Sequence, residues 1–178
     1  MRGVRYRLGR QDEIVEVGGA WDDFALSNEA PELQGQRVVG RFIWEFIADR
    51  TTAGLFKALY AAVRGGKALA IPFRCDGPSV RRYMQLQMAG SDHGGLTVSS
   101  SLVREECRPA QPILQRGTVR SDALLSMCSW CNRLRVDAGW CEVDEAVAAL
   151  GLFEQTRLPQ LTHGICEPCR QQIEAAMA

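Results

Sequence analysis

Asp49-Arg-Thr-Thr-Ala-Gly-Leu-Phe-Lys-Ala-Leu-Tyr-Ala-Ala-Val-Arg-Gly-Gly66, followed by Leu69-Ala-Ile-Pro-Phe73 and Met84-Gln-Leu-Gln-Met88, is where this sequence changes its period. In the first segment Leu55, Phe56, Leu59, Tyr60 and Val63 recur at helical spacing. Asp49 or Thr51 can cap its start, and Gly65-Gly66 stops it. From Leu69 the alternation has a period of two: Leu69, Ile71 and Phe73; then Met84, Leu86 and Met88 between Gln85 and Gln87; then Leu96, Val98 and Ser100. One amphipathic helix followed by three antiparallel strands with a single buried face defines an α+β domain. Asp76-Gly77-Pro78 and the Gly90 to Gly95 stretch supply the turns.

Upstream, Val4 to Leu8 and Glu13 to Val17 flank a polar turn and predict a hairpin that ends at Gly18-Gly19. Trp21 to Asn28 predicts a short helix, and Gly40 to Ile47 reads equally as a helical turn or a strand. Downstream, Arg108-Pro-Ala-Gln-Pro112 closes the domain, because two prolines break both ladder and helix. Residues 109–127 then read as a linker with a connector helix whose apolar points are Leu124, Leu125 and Met127. Residues 128–178 form a small, mainly helical, Cys-rich module, with Val143, Val147 and Leu150 on one helical face that packs beside Trp130 and Trp140.

Residues 1–108 are expected to hold two strands, short helices, one longer helix and three strands, in that order. The runs Gly19-Ala-Trp-Asp-Asp-Phe-Ala-Leu-Ser-Asn28, Val38-Val-Gly-Arg-Phe-Ile-Trp-Glu-Phe-Ile47 and Pro72-Phe-Arg-Cys-Asp-Gly-Pro78 with Arg81-Arg82 resemble PAS-like bacterial sensory proteins. The resemblance implies a five-stranded antiparallel sheet with helices on one face and a pocket drawn from Phe24, Phe42, Trp44, Phe46, Leu59, Phe73, Met84 and Leu86. All eight serve equally well as core, so a small-molecule ligand is left open. Blue-light flavin relatives resemble a Gly-Arg-Asn-Cys segment where this chain has Gly40-Arg-Phe-Ile43, and His93 sits in a Gly-rich turn rather than at a haem-ligand position.

Two Cys-x-x-Cys pairs, Cys128-Ser-Trp-Cys131 and Cys166-Glu-Pro-Cys169, carry the chemistry. Each spacer lets two thiolates of one tight turn face a common centre, and together they make a full tetrahedral zinc set. His163 is the alternative ligand, in a His-x-x-Cys-x-x-Cys run. Pro168 suits the first turn of a helix from Glu167 to Met177, whose positive end favours thiolate. Neither pair continues into Cys-x-x-Cys-His, which removes covalent haem. Cys128-Ser-Trp-Cys131, Trp140 and Leu161-Thr-His-Gly-Ile-Cys-Glu-Pro-Cys169 resemble a tail found on bacterial PAS-containing signalling proteins, with its CxWC and HGICxxC patterns. Cys75, Cys107 and Cys141 are further thiols that read as small side chains partly buried in the fold.

Composition bounds the function. The chain has 178 residues, 46% hydrophobic, with 21 basic and 21 acidic residues and no net charge. That balance gives no electrostatic case for nucleic acid or an anionic membrane. No apolar run approaches the length of a membrane span, and the basic start Met1-Arg-Gly-Val-Arg leads into no signal-peptide core, so the expectation is a cytoplasmic protein. The functional expectation is a non-enzymatic sensor or adaptor acting through protein contact, as a homodimer or on a kinase or transcription regulator. The alternatives are a thiol redox switch that releases zinc and nucleic-acid binding by the zinc module. Hydrolytic zinc chemistry is disfavoured because four protein ligands leave no place for water.

Overall fold

The computed structural model describes residues 3–47 and 49–178. Met1 and Arg2, the first residues of the basic start, lie outside them. The strands are β1 (Val4–Leu8), β2 (Ile14–Gly19), β3 (Leu69–Arg74), β4 (Val80–Gly90), β5 (Leu96–Cys107), β6 (Arg120–Cys128), β7 (Leu134–Val136), β8 (Gly139–Cys141) and β9 (Leu158–Gly164). The helices are α1 (Trp21–Ser27), α2 (Gly35–Val38), α3 (Arg50–Arg64), α4 (Val143–Ala149) and α5 (Glu167–Met177), with short 3-10 turns such as Ile43–Phe46.

β1 to β5 form one antiparallel sheet in the order β2-β1-β5-β4-β3. The period-two residues Leu69, Ile71, Met84, Leu86, Met88, Leu96 and Val98 are all buried, and the apolar stripe of α3, Leu59, Tyr60 and Val63, is buried with them. Burying a side chain of this size is worth roughly 1.5–3 kcal/mol, so the match of two periodicities on one face carries the domain. Asp49 caps α3 by accepting from the Thr52 backbone N–H at 2.6 Å. Just beyond the C-terminus of α3, Gly66 takes φ of +99°, a conformation that is strained for residues with a Cβ. The Tyr6 and Tyr60 hydroxyls meet at 2.9 Å inside the core, and burial pushes the Tyr6 phenol up to about 12.

The C-terminal part departs from the sequence expectation. Residues 120–128 form strand β6, not a connector helix, and the module is a four-stranded sheet, order β8-β7-β6-β9, with two helices rather than a mainly helical unit. Leu125 is buried and Leu124 is exposed, a strand's alternation hidden inside an Ala-Leu-Leu run of good helix formers. The partner that decides it is β9, which lies parallel to β6 from Leu124↔Gln160 to Cys128↔Gly164. Pairing supplied by a distant segment overrides local propensity. α4 also ends sooner than expected: Val143, Ala146 and Val147 are buried with Ile113, Leu125, Leu134, Leu152 and Leu158, while Leu150 caps the helix and is exposed. Trp130 belongs instead to the core of the five-stranded sheet, together with Cys128, Cys166, Cys169 and Ile173.

Candidate metal centre

The parallel pairing of β6 and β9 explains how two cysteine pairs separated by 34 residues converge. Parallel strands run in the same direction, so their C-terminal ends lie side by side. Cys128 ends β6, and Cys166 follows two residues after Gly164, its neighbour across the ladder. The β7–β8 hairpin and α4 fill the crossover that a parallel pair requires.

The four sulfur atoms of Cys128, Cys131, Cys166 and Cys169 lie within 4.8 Å of one another, and none is in a disulfide. The Cys166 sulfur is 3.7 Å from that of Cys128 and 3.7 Å from that of Cys131. A tetrahedron of thiolates at the usual zinc–sulfur bond length has edges of about 3.8 Å. The set therefore fits a single four-coordinate ion, and the four cysteines predicted from spacing are the four brought together. His163 is not part of that cluster; it pairs with Met127 across the ladder and lines a hollow with Asp49, Thr52 and Ser129. Cys166 caps α5 and Pro168 sits in its first turn. Hydrogen bonds from Cys131 and Cys169 hold the Cys128 thiol far below the ordinary range, and that thiolate in turn pushes Cys131 up to about 12. Thiolates packed this closely repel one another, so a cation between them favours the deprotonated set.

The residues between and after the cysteines dock the knuckle on the sheet. The Ser129 and Thr52 hydroxyls meet at 2.7 Å, so the knuckle reaches the capping turn of α3. The Trp130 indole N–H donates to Pro72 O at 2.7 Å, and the Arg74 N–H donates to Trp130 O at 2.8 Å. Asn132, at φ of +59°, accepts from the Asp76 N–H at 3.0 Å. From α5, Gln172 donates to Pro72 O at 3.0 Å. β3 is an edge strand carrying a proline, and the cysteine-bearing module covers that edge. Trp130, 3% exposed, stacks at 6.0 Å centroid distance on both Phe56 and Phe73. It is thus a plug into the sheet domain rather than a cover for the metal. Trp130→Phe should keep the metal and cost about 1–3 kcal/mol in a urea titration, the range for an interrupted buried hydrogen bond; an unchanged midpoint would show that the indole is not part of the joint.

A charged seam runs beside the plug. Asp76 accepts from Arg74 and forms an ion pair with Arg108 at 3.3 Å. Glu142, at the start of α4, takes Arg74 at 2.7 Å, Arg133 at 3.0 Å and Arg81 at 3.2 Å. Burial would raise the Glu142 carboxyl, but the hydrogen bonds from Arg74 and Arg133 outweigh it and hold the group below its ordinary range. A carboxyl depressed in the folded state contributes stability that is fully present above its unfolded pKa, about 4.3 for glutamate, and is lost as pH falls through the lower folded value. The stability difference between the native chain and Glu142→Gln should therefore be constant from pH 7 to about 5 and shrink below it. Thiolate protonation is common to both chains and cancels in this difference. A difference that grows on acidification would contradict the assignment. The parts that Asn132, Asp76, Arg74 and Glu142 play in this joint are not visible in the sequence; only an asparagine directly after Cys-x-x-Cys, tolerant of a left-handed turn, gives a local hint.

The expected pocket is partly assembled. A cavity of about 230 Å³ opens on the inner face of the sheet, and Phe24, Phe73, Met84 and Leu86 line it with Tyr6 and Phe56. Leu59 is fully buried core, Trp44 and Phe46 pack at the edge of that core, and Phe42 is 46% exposed; these four do not line the cavity. The reason for Phe42 is local: it precedes the 3-10 turn Ile43–Phe46, in which Ile43 takes the buried position.

No family model matches the chain, and no curated protein does. Among solved structures, the chain has a weak similarity to a domain of an HTR-like protein from Haloarcula marismortui, 16% identical, covering 57% of this chain and 98% of that one with a TM-score of 0.41. No helix among the described residues is long and apolar enough to cross a membrane.

Proposed function

We propose that the chain is a non-enzymatic signalling adaptor in which a PAS-like domain is joined to an output module by a structural zinc ion on Cys128, Cys131, Cys166 and Cys169. The observation that carries this reading is the docking of Ser129, Trp130 and Asn132 on three parts of the sheet domain. A metal that shapes the knuckle thereby fixes how the two parts sit together. The element order of residues 4–107 supports the PAS-like assignment, and a closed four-thiolate set, which leaves no coordination position for water, supports a structural rather than a hydrolytic metal. The partner is a protein, either a second copy or a kinase or transcription regulator.

Light scattering on the zinc-loaded chain, with cross-linking to candidate kinases and regulators, tests the proposal. Either a mass above the 19.7 kDa monomer or a specific cross-link to one of those candidates is the expected result. A strict monomer with no cross-link would remove it. One observation favours a second reading, a thiol redox switch: Cys131 is only half-buried, while the other three thiols are buried. Under that reading stoichiometric peroxide releases the ion, and metal retained at that dose rules the switch out.

A further inference from the structure

The cavity and the metal centre share a wall. Along residues 72–76 the chain alternates: the side chains of Phe73 and Cys75 line the cavity, while backbone groups of Pro72, Arg74 and Asp76 bond to Trp130 and Asn132 of the knuckle. Phe56 lines the cavity from α3 and stacks on Trp130 from the same side as Phe73. An adjoining hollow, bounded by Phe56, Phe73 and Cys75 and by Ser129, Trp130 and Asn132, runs from the cavity to the knuckle. The segment that carries Cys128 and Cys131 therefore supplies the one ring, Trp130, that packs on both Phe56 and Phe73 of the cavity wall.

We infer that these are two linked binding sites: a small neutral apolar molecule in the cavity and the metal ion on the four thiols stabilise the same placement of Trp130, so each tightens the binding of the other. The inference rests on the metal reading proposed above. The class of ligand follows from the lining. No charged side chain lines the cavity among the described residues, the Tyr6 hydroxyl is engaged with Tyr60, and the aromatic rings of Phe24, Phe56 and Phe73 with the Met84 thioether offer carbon and sulfur surface. An unpaired charge would be desolvated there without compensation, whereas an apolar ligand gains its burial.

Linkage between two sites is reciprocal, and its usual size is about 5–150-fold. The test uses the full chain and the neutral fluorophore N-phenyl-1-naphthylamine. Its affinity is measured with zinc bound and after chelation, and zinc affinity is measured against a chromophoric chelator with and without saturating probe. The expected result is the same factor in both directions, about tenfold. Ser100→Leu, which adds volume at the cavity lining, should abolish probe binding while leaving one zinc per chain. If chelation unfolds the protein, zinc-loaded Trp130→Phe provides the second reading and should bind the probe more weakly than the native chain. A probe that binds the native chain and not Ser100→Leu, with zinc affinity unmoved, overturns the linkage. A native chain that holds zinc but does not bind the probe overturns the cavity as a ligand site. A chain that binds the probe but takes up no metal fails at the metal reading, and the linkage falls with it.

Discussion

Replacing Cys169 by serine is expected to empty the metal site and to release the C-terminal module from the sheet. Structural zinc bound by thiolates supplies about 10–16 kcal/mol in small zinc-dependent folds, while a whole domain is stable by only about 5–15 kcal/mol. The module's own core is the small cluster around Leu134, Val143 and Leu152, and Cys128, Cys166, Cys169 and Ile173 pack instead with the five-stranded sheet. Loss of the ion therefore undoes both the knuckle and the joint. Metal analysis should fall from one ion per chain to none. Amides of β6, β9 and α5 should lose their protection from hydrogen exchange while those of β4 and β5 keep theirs. Retention of the metal, or an unfolding midpoint within about 1 kcal/mol of the native chain, would mean that Cys169 is not a ligand.

The second large effect is expected at Asp76. Its carboxylate is 1% exposed and faces Arg74 and Arg108, whose side chains are 9% and 8% exposed. Arg108 depends on it most: among the described residues its guanidinium reaches, beyond Asp76, only Gly77 O, at 3.1 Å, and its Nε and Nη1 have no partner there. Burial already lowers the pKa of this guanidinium, the mark of a charge deprived of solvent. Asp76→Ala leaves two buried cations with one fewer counter-charge, and breaking a buried pair in this way costs about 3–5 kcal/mol. Urea denaturation of the metal-loaded chain should show that loss, with the metal still bound, because no thiol is touched. A loss below about 1 kcal/mol would place Asp76 among the exposed pairs of modest effect, such as Arg5–Glu16.

How much of this was legible in the sequence depends on how far apart the deciding residues lie. α3 and β3 to β5 were legible, because Leu59, Tyr60 and Val63 and then Leu69, Ile71, Met84 and Leu86 show their periods within a few residues. The clustering of the four thiols was legible because a Cys-x-x-Cys spacer lets two thiols of one tight turn face a common centre. β6 was not, since Ala123-Leu-Leu125 favours a helix and only the distant Leu158–Gly164 segment makes it a strand. Trp130 could be recognised as a buried aromatic inside a knuckle, but not as a plug. Its target, the carbonyl of Pro72, is a backbone group on an edge strand 58 residues away. The seam of Arg74, Asp76 and Glu142 was hidden for the same reason: a scattered set of charges reads as a solvated surface until the fold buries it.

The account turns on one closed clasp of four thiolates. X-ray absorption at the zinc edge of the purified full chain tests it most directly. The predicted result is a shell of four sulfur atoms at about 2.3 Å. No zinc edge, or a shell of three sulfurs with one nitrogen at about 2.0–2.1 Å that would bring His163 into the site, would contradict it.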